Sequence, residues 1–232
     1  MIRSNKKLFG LIPLSLLLAG ALFVISLFVF SFIAHEIVME HERLFDNAVF
    51  AFFHRHVSQR TVSVFRVITY FGSHLFLIPA YCILITVYLL RGHRQDALDI
   101  GIIGLSSLLL LLSLKSIFHR ARPDMPLFRA VAGYSFPSGH ALSFFIFCAL
   151  LIHLIRWSAW RSWIKWSVCI FLLLFSIVIG ISRIVLRVHY PSDVLAGFCM
   201  GFAWVTLLLS LQGQLRSTMH IPSDHGQTKP LS

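Results

Sequence analysis

Charge is scarce in this sequence: 12% of the 232 residues are Asp, Glu, Lys or Arg, against 57% apolar, and the apolar residues fall in long blocks. That balance excludes an ordinary soluble domain and predicts an integral membrane protein. Acidic side chains are scarcer still, nine against twenty Lys and Arg, for a formal net charge of +11. The excess invites a nucleic-acid reading, but no soluble basic domain or recognition motif carries it, so no nucleic-acid partner is expected. Basic loops beside a membrane and an anion pocket account for the charge instead. Cysteine is rare too. Cys82, Cys148, Cys169 and Cys199 lie inside apolar blocks with neither paired nor metal-type spacing, which argues for packing rather than a disulfide framework or a zinc site. No linker and no internal repeat divides the chain, so one domain is expected.

A helix needs ~20 apolar residues to cross the hydrocarbon core, and this length has room for about six crossings. The blocks predict them at about 8–34, 62–90, 97–118, 137–157, 166–186 and 191–211. The first follows the basic tip Met1–Lys7; it is too long for a signal peptide, and no small-x-small cleavage site follows it. The longest polar connection is His35–Arg60. Within it Phe45, Val49, Phe52 and Phe53 recur at helical spacing, with Asp46, Asn47 and Arg55 off that face, predicting an amphipathic helix on the membrane surface between the first two crossings. Such a helix either helps admit a lipid or simply packs on the bundle. Residues 212–232 are polar, contain two prolines and read as a disordered tail. The expected fold is therefore all-α, a six-helix transmembrane bundle over 1–211. The basic tip and the short basic loops Arg91–Asp96 and Arg156–Lys165 place both termini in the cytoplasm. The loops between crossings three and four, and five and six, then emerge together on the outer face of the cell's inner (plasma) membrane.

Three polar stretches occupy those two outer loops. Charge beside hydrocarbon is costly, so such groups are functional candidates by default. Lys115–Pro123 reads K-S-I-F-H-R-A-R-P. On a continuous helix Lys115 and Arg122 share nearly one face, ~10.5 Å apart along the axis, with Pro123 ending the helix just after Arg122. A bidentate guanidinium and a compact ammonium suit one phosphate; the plainer alternative is two interfacial cations snorkelling to head groups. In Pro137–His140, P-S-G-H, the proline suits the first turn of a helix whose free N–H groups face an anion. Ser138 adds a hydroxyl, Gly139 permits close backbone approach, and His140 can donate a proton to a leaving oxygen. Alone, this tetrapeptide also reads as a loop-to-helix cap. Ser182–Asp193, S-R-I-V-L-R-V-H-Y-P-S-D, sets His189 four residues before Asp193. A carboxylate on one ring nitrogen fixes the tautomer and frees the other to attack. Pro191 favours starting the last helix there, and Arg183 is a third cation. His140, His189 and Asp193 are also conceivable metal ligands. Lys115, Arg122 and Arg183, however, bring three positive charges to the same pocket, so an anion is expected there and not a metal.

K-x6-R-P at Lys115–Pro123, P-S-G-H at Pro137–His140 and S-R-x5-H-x3-D at Ser182–Asp193, in that order, resemble the type 2 phosphatidic acid phosphatase family. The family also holds soluble vanadium haloperoxidases, so the six crossings place the resemblance with its membrane lipid phosphatases. The resemblance implies an enzyme that needs no metal or other cofactor. His189 would form a phosphohistidine, oriented by Asp193, while His140 would protonate the leaving group and then help activate water. Lys115, Arg122, Arg183, Ser138 and the Gly139 amide would hold the phosphate oxygens. Bacterial members often read R-x-R-P, as at Arg120–Pro123, which implies that Arg120 lies near the pocket. The run G-Y-S-F-P-S-G-H-A at Gly133–Ala141 likewise looks bacterial. The implied partner is a lipid phosphate: undecaprenyl diphosphate first, with phosphatidylglycerol phosphate, phosphatidic acid and lipid A phosphate as alternatives. A lipid-phosphate transporter would need the arginines but not the His189–Asp193 pair with His140.

Overall fold

A computed structural model describes residues 14–39, 43–128 and 132–218, and among them every regular element is a helix. Helix α1 (Leu14–Ile33) runs into a π-helical turn, Ala34–Met39. After it come α2 (Leu44–His56), α3 (Gln59–Ile68), a 3₁₀ turn at Thr69–Gly72, α4 (His74–Leu90) and α5 (Arg94–Phe118). The chain ends in α6 (Gly139–Arg156), α7 (Ser162–Val185) and α8 (Pro191–Thr218). Among the described residues six stretches are long and apolar enough to cross a membrane, α3 and α4 together forming the second, Gln59–Leu90. Large apolar side chains such as Phe28, Leu75, Leu105 and Phe171 stand exposed on their outer faces. In water that surface would be untenable; in hydrocarbon it is the solvated face.

Several expectations need correction. The second crossing is broken by the Thr69–Gly72 turn. The third, fourth and fifth are shifted by a few residues from their expected limits, as helix ends often are in sequence-based reading. The last crossing continues past 211: residues 212–218 are helical. They are held because Gln212 Nε2 donates to the Asp99 carbonyl at 3.3 Å and Arg216 donates to both Asp96, at 2.7 Å, and Asp99. The tip Met1–Lys7, the expected start of the first crossing at 8, and residues 219–232 lie outside the described residues. The surface helix exists as α2, but its inward face differs from the one expected. Val49, Phe50 and Phe53 pack on Ala141, Ile184 and Val194, whereas Phe45 and Phe52 point outward. Asp46, expected off the apolar face, is fully buried.

Helix α6 is the centre of the bundle. Leu142, Ile146 and Leu150, spaced four apart, are buried on one stripe against Phe30 and Ile33 of α1, Ile100, Ile103 and Leu111 of α5, and Ala196 and Val205 of α8. The α6–α8 approach is close because Gly197 faces α6. A Cβ there would sit 2.9 Å from the Ser138 carbonyl oxygen and 3.2 Å from the Leu142 nitrogen. Backbone-to-backbone packing at a small residue is how membrane helices associate without a hydrophobic drive between them. It also sets the N-terminus of α8 against the N-terminus of α6.

Candidate active site

The three polar stretches meet at one end of the bundle. Lys115 occupies the last turn of α5, but that helix stops at Phe118, where His119 turns left-handed (φ 47°) and its N–H donates to the Lys115 carbonyl at 3.3 Å. Lys115 and Arg122 therefore do not share a continuous helix, contrary to expectation. Helix α5 is already closed before the steric restriction of Pro123 reaches back to Arg122. The loop nonetheless returns Arg122 to the same place. Its Nε donates to the Gly133 carbonyl at 3.0 Å and its Nη1 to the Val188 carbonyl at 2.7 Å, and Nη1 lies 3.2 Å from His189 Nε2. Lys115 Nζ donates to the Tyr134 carbonyl at 2.5 Å.

Helix α6 begins at Gly139, not Pro137; Ser138 is its extended N-cap and makes no side-chain cap bond. The Ser138 N–H donates to the Asp193 carbonyl at 3.0 Å, joining the second stretch to the third. Its Oγ is buried without a hydrogen-bond partner among the described residues. Gly139 serves packing as well as any ligand, since a Cβ there would lie 2.9 Å from Leu111 Cδ2 of α5. His140, half-buried, packs beside the Thr69–Gly72 break and interacts electrostatically with Arg183, His189, His74 and Arg122.

Arg183 lies in the last turn of α7, almost fully buried. Its Nη1 donates to Thr69 Oγ1 at 2.7 Å, while Nε has no hydrogen-bond partner among the described residues. The chain then reverses: the Arg183 carbonyl accepts from the N–H of Val188 at 3.1 Å and of His189 at 3.4 Å, with Arg187 left-handed at φ 52°. That tight turn carries His189 back over the end of α7. Pro191 opens α8 and Asp193 sits in its first turn, as expected. Asp193 Oδ2 lies 3.4 Å from His189 Nδ1, and it accepts from Ser135 Oγ and, at 2.9 Å, from the Tyr190 N–H. Its other oxygen, Oδ1, accepts from Arg120 Nη1 at 2.6 Å. A carboxylate so fully engaged cannot turn, so the imidazole it faces is oriented through Nδ1 with Nε2 directed to the Arg122 side.

Burial pushes the His189 imidazole down to about 3, outweighing the hydrogen bond and charge of Asp193, with Arg183 and Arg122 adding repulsion. The ring is thus neutral with its lone pair on Nε2, facing Arg122, the protonation state a nucleophile requires. Burial also lowers Arg122. Among the described residues no cluster of three or more His, Cys, Asp or Glu could hold a metal ion. All the expected positions, Lys115, Arg122, Ser138, Gly139, His140, Arg183, His189 and Asp193, line this one end, and so does Arg120. The residues missed are Ser135, Ser192, Thr69 and Asp46. Ser135 lay within the Gly133–Ala141 run and could have been flagged; Thr69 and Asp46 carry no local signal.

The fold and site define a multi-pass helical membrane protein with a buried, cation-lined His–Asp pair at one end of its bundle. The sequence profile of the PAP2 superfamily matches residues 96–217, more than half of the chain, and the protein belongs to that superfamily. It is 30% identical over 135 residues to phosphatidylglycerophosphatase B of Bacillus subtilis, covering 58% of this chain and 66% of that one. It is 35% identical over 111 residues to a lipid A 1-phosphatase of Rhizobium johnstonii, covering 42% of this chain and 40% of that one. These alignments thus span less than two thirds of either relative. The crystal structure of a transmembrane PAP2-type phosphatidylglycerolphosphate phosphatase from Bacillus subtilis superposes with a TM-score of 0.68 at 26% identity, over 85% of this chain and 96% of that one.

Proposed function

We propose that this protein is a lipid phosphatase that hydrolyses the phosphate or diphosphate ester of a membrane lipid through a phosphohistidine, without a metal. One observation carries the reading. Two buried polar atoms without partners among the described residues, Arg183 Nε and Ser138 Oγ, occur in the same site as Lys115, Arg122 and a neutral His189. Orphaned donors in a buried site cost stability unless a ligand satisfies them, and three cations select an anion with several oxygens.

In the proposed sequence His189 Nε2 attacks phosphorus and forms the N–P bond as the bond to the leaving oxygen breaks. With the anionic phosphate bound beside it to favour the charged ring, His140 gives a proton to that oxygen, releasing the lipid product. Neutral His140 then takes a proton from water as the water attacks the phosphohistidine, and the N–P bond breaks to give inorganic phosphate and restore His189. Arg122, Arg183, Lys115, Ser138 and the Gly139 amide hold the charge on the equatorial oxygens. Asp193 stabilises the positive charge on the ring while the adduct exists.

Similarity to phosphatidylglycerophosphatase B supports phosphatidylglycerol phosphate as the first substrate to try, ahead of undecaprenyl diphosphate. The short connections opposite the site carry Arg91, Arg94, Arg156, Arg161 and Lys165. They support a cytoplasmic placement for that end and an outward-facing site in the plasma membrane. The test is phosphate release in detergent with EDTA, using wild type and His189→Ala on phosphatidylglycerol phosphate, undecaprenyl diphosphate, phosphatidic acid and a lipid A phosphate. Release that survives EDTA and disappears in His189→Ala is expected. Normal turnover by His189→Ala would remove the mechanism, and activity lost on chelation would remove its metal-free form. Binding of these lipids without release would favour a transporter.

A further inference from the structure

Asp46 lies outside all three motifs, on the surface helix α2, and its side chain is fully buried. Its Oδ1 accepts from the Ser192 N–H at 2.9 Å. Its Oδ2 accepts from the Ser192 hydroxyl at 2.8 Å and from Arg120 Nη2 at 2.7 Å. The other terminal nitrogen of Arg120, Nη1, donates to Asp193 Oδ1 at 2.6 Å and to Ser192 Oγ at 2.8 Å. One guanidinium is therefore forked between two buried carboxylates, with the Tyr190 ring centroid 4.1 Å from its Cζ. Every one of these bonds is charge-assisted or leads to a group that is, and all sit where water does not compete.

We propose that Asp46 is a positioning residue for the reaction. It anchors Arg120 so that the guanidinium pins the Asp193 oxygen facing away from His189, leaving the other oxygen directed at His189 Nδ1. The inference rests on the phosphatase reading above. Two buried carboxylates share one arginine, so Arg120 neutralises Asp193 only in part, and Asp193 keeps the negative charge it needs beside the imidazole. Without Asp46 the guanidinium loses one of its two anchors and is free to swing fully onto Asp193, changing both the direction and the charge of that carboxylate. Helix α2 is then part of the catalytic scaffold. Its opposite side carries exposed Leu44, Phe45 and Phe52, as a helix seated at a membrane surface does.

The experiment compares wild type, Asp46→Asn, Arg120→Gln and the double variant as full chains in lipid-detergent micelles, on the best substrate of the panel. Asp46→Asn is expected to lower kcat on the order of 10- to 100-fold, the effect of a small misplacement of a reacting group, with KM little changed. In the Arg120→Gln background the same substitution is expected to change kcat by less than about twofold, because the two residues act as one unit. Equal falls in both backgrounds would assign Asp46 a purely structural role and overturn the proposal. Asp46→Glu, which keeps the charge but displaces the carboxylate, replaces Asp46→Asn if that variant does not fold; the same non-additivity is expected. A second readout does not depend on turnover. The ¹⁵N shifts of the His189 imidazole, assigned by difference from His189→Ala, should report one Nδ1–H tautomer in wild type and a mixture in Asp46→Asn. If wild type released no phosphate from any lipid, the phosphatase reading would fail, yet an unchanged His189 signal in Asp46→Asn would still overturn the positioning role.

Discussion

In the proposed mechanism His189 has to be neutral to attack, oriented to attack in one direction, and surrounded by cations that hold its target. These demands conflict, because a carboxylate that orients the ring also favours protonating it. The structure resolves the conflict by burial, which pushes the ring to about 3 despite Asp193. The sign of the pH dependence follows. A group held below its ordinary value of 6.5 stays unprotonated as pH falls through 6.5, so the proposed nucleophile is not lost there. We expect kcat/KM on the leading substrate to show no acid limb attributable to His189 between pH 5 and 7, that limb lying near about 3. Rate profiles of wild type and Asp193→Asn check this; an acid limb at the free-imidazole value in wild type would contradict it. The motif residues were legible because chemistry demands their identity at short spacing. Asp46 was not, since its partners Arg120 and Ser192 are 74 and 146 residues away, and a helical-face reading assigns a lone Asp to the polar side by default.

Helix-to-helix spacing governs whether those residues meet. The Ser138 N–H bonds to the Asp193 carbonyl only because α8 can approach α6 at Gly197. Gly197→Val puts a branched side chain where even a Cβ falls 2.9 Å from a backbone oxygen, and backbone cannot yield as a flexible side chain does. We expect a fall in kcat on the order of 100-fold from roughly 1 Å of displacement and a loss of about 1–3 kcal/mol from overpacking, read by initial rates and thermal unfolding. Gly213→Ala, further along the same helix with nothing within 4 Å, is the control and should leave rates unchanged. The helices themselves were legible from hydropathy, but their ends were not. Helix α5 closes at a left-handed His119 rather than at Pro123. Helix α8 outlasts its apolar run because Arg216 finds two carboxylates on α5.

The molecule is polarised along its length, with the buried His189–Asp193 network at one end and the Arg216–Asp96–Asp99 group at the other, joined by the apolar stripe of α6. The distal group is structural: Arg216→Ala takes a charge partner from two carboxylates and should cost roughly 2 kcal/mol, less than a fully buried pair because Arg216 is partly exposed. Thermal unfolding in detergent should fall accordingly while kcat of the folded fraction is unchanged; a matching loss of kcat would show coupling between the two ends. Sequence alone determined the membrane character, the number of crossings, that the motifs share one end of the bundle and the residue types gathered there. Those follow from hydropathy, from helix length against bilayer thickness and from short-range spacing, all local properties. Only the tertiary structure decided which face of α2 is buried, that Arg120 is shared between Asp46 and Asp193, and that the loop after α5 brings Arg122 to His189. Each of those depends on residues far apart in the chain satisfying one another's charge and hydrogen bonds where no water can do so.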